Sequence, residues 1–469
     1  MLADLILRGG TVVTPRDSYT ADVAVRGGKV VAVGDLSGLE AAAVYDATGL
    51  VVLPGVIDEH MHTRDPGAEH KEDFAHSTRS AAAGGVTTVL EMPNTVPPVI
   101  DAASFAAKAE YLAPKAFVDF GLWGLVLGDA NRAHIAEMAQ AGVVGYKLFW
   151  GYGLNPKTLA LVYNFKPGDD VIMPPDEGQI YEMFETVAAT GRLVSVHAEN
   201  HSVITRLASR ERDANPTSYE AFLRSRPPFT ELMTINAGIE LAGATGVHLH
   251  ILHMSAHAGT VLVDRARARG VRVTGETCPH YLLLGAEDFG RVGIDMKVLP
   301  PIREQANAEE LWAAVRAGRI QAIGSDHAPH TLAEKQGNIW AAPAGACGVQ
   351  TMVPLMLNAV NEGRITLNQA AQLLSENPAR LFGLYPRKGA IRVGADADFT
   401  VVDMKKEHVL TREELLSKNP MNPFHGIRVK GMPVAAFLRG RQIMQDGRPL
   451  GEPAGQLIRP TAPSDPLLG

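Results

Sequence analysis

Eight apolar runs occupy the middle of this sequence, most of them followed by a stretch of helical composition, and that alternation limits the fold more than any other feature. The runs are VVLPGVIDEHMH, TTVLEMPNT, AFVDFGLWGLVL, VGYKLFW, RLVSVHAEN, HLHILHMSAH, VRVTGETCPHY and IQAIGSDHAPH. Segments rich in Ala and Glu, such as SFAAKAEYLA and AEELWAAVRAG, lie between them. Strands buried on both faces read as unbroken apolar runs, and amphipathic helices between them cover a parallel sheet. Periodicity leaves an open doubly wound sheet as an alternative, but eight units point to closure as a (β/α)8 TIM-type barrel. Polar residues strengthen that reading. His60 and His62, Asn94, Lys147, His197, His253 and Asp326 fall toward the C-terminal ends of their runs or just beyond them, and His280 does the same. That edge is where a barrel of this type builds its active site.

The two ends of the chain have a different texture. LILRGGTVVTP, ADVAVRGGKVVAVG and AVYDATGLVVLPG read as short strands joined by glycine turns, and GAIRVGADADFTVVDM and VAAFLRGRQIMQDGRPL repeat the pattern near the other end. Such segments are most simply explained as halves of one small β-sandwich domain with the barrel inserted between them. The expected division is 1–54 and 386–455 for the β domain, 55–385 for the barrel and 456–469 for an extended, proline-rich tail. With 44 Lys+Arg against 51 Asp+Glu the chain is mildly acidic. It therefore offers no broad basic surface to nucleic acid or an anionic membrane. No window approaches the ~18 uninterrupted apolar residues of a membrane span. The opening MLADLILRGG is a short strand rather than a targeting segment. Two cysteines, Cys278 and Cys347, exclude a disulfide framework and fit a reducing, cytoplasmic setting.

The chemistry starts at Asp58-Glu59-His60-Met61-His62. Residues two apart share a face of a strand, so His60 and His62 can hold one metal ion. His197 and His253 each sit at the polar end of an apolar run, and Asp326 stands at the same level of the last one. Four imidazoles and a carboxylate at one barrel mouth are the ligand types of zinc or a similar divalent ion. As satisfied core residues they would carry heavy desolvation costs. Lys147, inside GYKLFW, has two readings. It is an ammonium that snorkels or pairs with an acid, or a neutral amine, favoured by burial and nearby metal charge, that takes up carbon dioxide as an anionic carbamate.

The set His60-x-His62, Lys147, His197, His253 and Asp326, in that order and with these contexts, resembles the cyclic amidohydrolases of the amidohydrolase superfamily: dihydroorotase, hydantoinase (dihydropyrimidinase) and allantoinase. The resemblance covers essentially the whole chain. It implies two divalent ions, zinc first and manganese, cobalt or iron as alternatives. His60, His62 and Asp326 would bind one, His197 and His253 the other, and N6-carboxylated Lys147 would bridge them. It further implies hydrolytic opening, or reverse closure, of a cyclic amide or ureide, with Asp326 as base and then acid. A homo-oligomer, dimer or tetramer, follows from the same resemblance. Some relatives of dihydropyrimidinase are non-catalytic scaffolds that have lost metal ligands. Every ligand type is present here, which disfavours that reading.

Features from different branches meet in this chain. His60-Met61-His62-Thr63-Arg64-Asp65-Pro66-Gly67, MPNT and SDHAPH are similar to dihydroorotase, where the positions of Arg64, Asn94 and His330 hold the substrate carboxylate. A guanidinium fork, an amide and an imidazole suit that group. Dihydroorotate is accordingly the leading expected substrate. Tyr152, five residues after Lys147, is similar to a hydantoinase tyrosine that hydrogen-bonds the reacting carbonyl, which makes hydantoinase the runner-up and allantoinase the third. His280 stands where the hydantoinase branch tends to have glutamine, and Arg64 where allantoinases commonly have asparagine. The segment PAGACGVQT, with Ala344, Gly345 and Gly348, resembles the glycine-rich loop whose backbone recognises the ring. The stretch from Gly153 to Glu182 is long for a dihydroorotase and is expected to form a flap or hairpin beside the mouth.

Overall fold

The computed structural model describes residues 2–163, 165, 168–215 and 217–468. The eight apolar runs form eight barrel strands in chain order: Val56–Met61, Val86–Glu91, Asp119–Leu122 continued by Gly124–Leu125, Tyr146–Phe149, Leu193–His197, His248–Ile251, Val273–Thr277 and Ala322–Ile323. Neighbouring strands pair in parallel. The ring closes where a parallel bridge joins Met61 to His327 and the His62 amide donates to the His327 carbonyl at 2.7 Å. The open-sheet alternative therefore falls away. Every residue of these strands is buried, because helices cover the outside and side chains fill the inside.

Local sequence starts and stops the helices. Asp73 caps Phe74–Ala83 by accepting from the His76 amide. Asp101 with Ser104, and Asp176 with Gln179, form capping boxes at the starts of Ala102–Leu112 and Glu177–Thr190. Gly191, at φ +69°, ends the latter helix in the left-handed conformation that glycine tolerates. Between the fourth strand and this helix, Gly153–Leu154 pairs antiparallel with Leu161–Val162, and Ile172 bridges back to Leu154. The expected flap is this hairpin; Asn164, Lys166 and Pro167 within it lie outside the described residues. No described helix is long and apolar enough to cross a membrane.

Strands from both ends of the chain join in one sheet. Val51–Pro54 pairs with Ala3–Val13 on one side and with Phe399–Val409 on the other, and so links the two halves. The nine strands are one continuous sheet rather than two separate ones. It nevertheless folds over on itself. The Tyr45 and Phe437 rings meet edge to face at 5.2 Å although several strands separate them along the sheet. Leu7, Val23, Phe399 and Phe437 share the resulting core.

The last residues are extended and lie against the barrel. Ile458 is fully buried, Gly455 donates to the Ala116 carbonyl, and Ser464 donates to that of Gly191. Ala116 and Gly191 immediately precede the third and fifth barrel strands, so this segment runs under the N-terminal ends, opposite the mouth.

Candidate metal centre

At the other end of the strands the polar residues converge. A register shift between Asp58 and Met61 lets the end of the first strand turn His60 and His62 toward the same point. Nε2 of His60 lies 3.3 Å and Nε2 of His62 lies 3.6 Å from the same Asp326 oxygen. Across the mouth, Nδ1 of His197 lies 3.0 Å from Nε2 of His253. The two groups adjoin, with the His60 and His253 rings 5.3 Å apart. Three residues here hold positive φ without being glycine: Arg64 at +64°, His253 at +37° and Asp326 at +45°. Such conformations cost about 1–3 kcal/mol each and persist where surrounding structure imposes them.

A second layer of side chains selects which nitrogen each imidazole offers. Nδ1 of His60 is 2.9 Å from Glu276, and Nδ1 of His62 is 2.8 Å from the Asn94 amide oxygen. Each accepts an N–H there, so Nε2 keeps its lone pair toward Asp326. His197 is turned the other way. Its Nε2 lies 3.0 Å from Glu199 and 3.1 Å from the Tyr152 hydroxyl, which leaves Nδ1 toward His253. Ser325 and Asp58 brace the segment that carries Asp326 beyond the eighth strand, with the Ser325 amide and hydroxyl both donating to the Asp58 carboxylate.

The donor set fits two divalent ions. Nε2 of His60, on the side of Asp326, is buried without a hydrogen-bond partner. His60, His62 and Asp326 bring three ligand atoms within 4.8 Å of one another. Burial lowers the pKa of His60, His62, His197 and His253, and nearby Lys147 adds to the effect. Neutral imidazole is the form that binds a metal. Lys147 itself is 1% exposed and makes no ion pair among the described residues. Burial brings its amine down to about 7, against the pull of Asp326 and Glu276. Burial and Glu276 push Asp326 up to about 8, with Lys147 and Arg64 opposing. A divalent cation would reverse that shift by favouring the carboxylate.

The residues expected to touch substrate are close by, with several of their polar atoms already engaged. Arg64 Nε donates to the Pro329 carbonyl at 3.0 Å, and its Nη2 lies 3.3 Å from His330 Nε2. His330 also meets the Ala344 carbonyl at 3.0 Å and Lys71 at 3.3 Å. Burial, Arg64, Lys71 and Lys335 bring its pKa to about 2, so the imidazole is neutral. Asn94 uses its oxygen on His62. Tyr152 is buried against His197, and burial raises its phenol pKa further. The loop carrying Ala344, Gly345 and Gly348 lies on the Asp326 segment, with the Ala328 amide donating to the Ala346 carbonyl at 2.8 Å. Buried Lys335 and Lys297 hold that loop by donating to the carbonyls of Gly345, Pro343, Trp340 and Ala342.

Sequence reasoning missed Glu276, Glu199 and Arg226. A signal existed for two of them, since a carboxylate stands next to last in VRVTGET and another stands two residues after His197. Charged groups at strand ends beside a metal site orient its histidines. Arg226, in a turn between helices, gave no such sign.

Comparison with known proteins follows the same lines. The Amidohydrolase family model matches residues 51–443. The chain is 42% identical to an allantoinase of Rubrobacter xylanophilus, over 97% of this chain and 98% of that protein. It is 36% identical to an allantoinase of Deinococcus radiodurans, over 98% and 99%. Among solved structures it is similar to the L-hydantoinase (dihydropyrimidinase) of Arthrobacter aurescens, with a TM-score of 0.92 and 34% identity, covering 97% of this chain and 100% of that one.

Proposed function

The chain belongs to the amidohydrolase family, and we propose that within it the protein opens the ring of a cyclic ureide, with allantoin as the first substrate and simple hydantoins as the second. The observation that carries the choice is the 42% identity, along almost the whole of both chains, to an allantoinase. Site chemistry agrees. Dihydroorotate, the substrate first expected, needs a free cradle for its carboxylate. The His330 imidazole is instead engaged with the Ala344 carbonyl and Lys71, and Arg64 spends its Nε on a backbone carbonyl. A neutral ring with a ureido arm needs only the donors that Arg64 has left. The hydantoinase reading rests on the 0.92 TM-score and on Tyr152.

His60, His62 and Asp326 would hold one ion, His197 and His253 the other, with Lys147 bridging as a carbamate. Two such ions, when bound, supply activation of water and of the ring carbonyl. The protein's own groups do the rest. Asp326 takes a proton from the attacking water and returns it to the ring nitrogen as the C–N bond breaks, leaving a carboxylate and a free ureido N–H. The Tyr152 O–H donates to the carbonyl oxygen as its charge grows.

A ring-opening assay on allantoin, hydantoin, dihydrouracil and dihydroorotate tests this directly. The expected order places allantoin first in kcat/KM and dihydroorotate last. Arg64→Ala should raise KM for allantoin about tenfold or more and change that for hydantoin much less, as loss of a hydrogen bond from a charged donor predicts. Preference for dihydroorotate, with KM for it collapsing in Arg64→Ala, would overturn the assignment.

A further inference from the structure

We propose that Arg226 and Glu199 are positioning residues whose buried ion pair fixes the tautomer of His197, so that Nδ1 faces the ion and the Tyr152 hydroxyl keeps its proton for the substrate carbonyl. The inference rests on the two-ion reading of the site given above. Arg226 Nη1 lies 2.6 Å from Glu199 Oε2, and the same oxygen lies 3.0 Å from His197 Nε2. The Glu199 side chain is 1% exposed, and its other oxygen is buried with no partner. A carboxylate that directs one oxygen at both a guanidinium and an imidazole, and leaves the other unused, serves a directional purpose. Paired with Arg226 it is ionised and can only accept, so Nε2 of His197 must carry the proton. Two consequences follow. Nδ1 is left with its lone pair, 3.0 Å from Nε2 of His253, as a shared ion requires. Tyr152, 3.1 Å from the same Nε2, cannot donate to a nitrogen that already bears hydrogen, so its O–H points elsewhere.

The position of Arg226 is itself fixed. Its carbonyl accepts from Arg303 Nη1 at 3.0 Å, and Arg303 Nη2 lies 2.9 Å from Glu231. Glu231 accepts from the Ser255 and Ala256 amides, just beyond His253. One brace thus reaches both histidines of the second ion.

The test uses the full-length protein loaded with zinc, comparing R226Q, R226K, E199Q and Y152F. Zinc per chain is measured by elemental analysis, its affinity by chelator competition, folding by thermal melting, and kcat and KM with allantoin and hydantoin. R226Q and E199Q should hold the second zinc about 10–100-fold more weakly, the usual effect of removing a group that orients a metal-binding histidine. Their kcat should fall at least tenfold while KM moves less than threefold. R226K, which keeps the charge without the fork, should recover part of both. Y152F should keep two zinc ions at full affinity and lose kcat alone, and R226Q should cost less in the Y152F background than in the wild type. Wild-type zinc affinity and kcat in R226Q would overturn the proposal; should R226Q fail to fold, wild-type values in E199Q would do so. Zinc binding needs no substrate, so a wrong ring assignment leaves this readout intact. A wild-type chain without a second zinc site would instead sink the two-ion reading.

Discussion

Lys147 is the residue whose chemistry departs furthest from its usual behaviour. A lysine 1% exposed and without an ion pair among the described residues is an unfavourable place for an ammonium, and the Phe149 ring 4.7 Å below it offsets only part of the lost hydration. Burial favours the amine, and an amine can become the carbamate that a pair of ions would share. Lys147→Met keeps the length and apolar stem of the side chain and removes only that possibility. Metal content should fall below two ions per chain and kcat/KM should drop by more than about 100-fold, at least the loss expected when a group merely orienting a ligand is removed. The melting temperature should hold or rise, because an uncompensated buried polar group has been removed. Elemental analysis and a melting curve on one preparation decide it. Full metal occupancy with full activity would return Lys147 to a packing role.

At the scale of elements, what could be read in the sequence was what a strand writes locally. Unbroken apolar runs mark strands buried on both faces, and His60, His62, His197 and Asp326 were visible because polar residues at strand ends interrupt those runs. What no local pattern records is the partner. Glu276 meets His60 across 216 positions of chain, and Arg226 meets Glu199 only because a helix–turn–helix carries it back to the mouth. Arg64, Asn94 and His330 were the right residue types to suggest a carboxylate cradle, yet their hydrogen bonds run to neighbours that only the fold supplies. The loop from Ala344 to Gly348 was legible as glycine-rich but not as packed on the Asp326 segment. Gly345 sits at φ +142°, and a Cβ there would stand 2.1 Å from the Ala328 carbonyl oxygen. Gly345→Ala must therefore push the loop off the segment that places Asp326. Activity should fall more than tenfold with a clear loss of melting temperature. Gly363→Ala, at φ +73° in open space, should cost only the backbone preference, about 1–2 kcal/mol, and leave kcat unchanged. Equal effects of the two changes would mean that the loop does not steer the site.

At the scale of the whole molecule, the barrel and the terminal sheet are tied at the end opposite the mouth. Asp119 opens the third barrel strand, while Asp398 and Arg439 flank strands of the sheet. Lys388 lies 2.5 Å from Asp119, 2.5 Å from Asp398 and 3.0 Å from Asp396, and Arg439 pairs with Asp119 as well. Conserving geometry at this end of a barrel serves stability, whereas the other end serves catalysis. Burial alone would raise the Asp396 pKa, but Lys388, Lys29 and Arg387 outweigh it and hold the carboxyl down to about 2. A pKa depressed in the folded state contributes stability above the unfolded value near 4, and that contribution is lost as pH falls from there toward 2. For Asp396 the shift corresponds to roughly 2 kcal/mol at neutral pH. Asp396→Asn should therefore melt lower than the wild type at pH 7, with the gap narrowing through pH 4 and closing as pH approaches 2. Lys388→Met should cost more, about 3–5 kcal/mol, because it leaves the buried Asp398 carboxylate without a cation and takes one of the cations from Asp119 and Asp396. Neither change should alter metal content or kcat at 25 °C, since the cluster lies across the barrel from the histidines. A gap in melting temperature that stayed constant from pH 7 to pH 2 would show that Asp396 contributes through packing rather than charge.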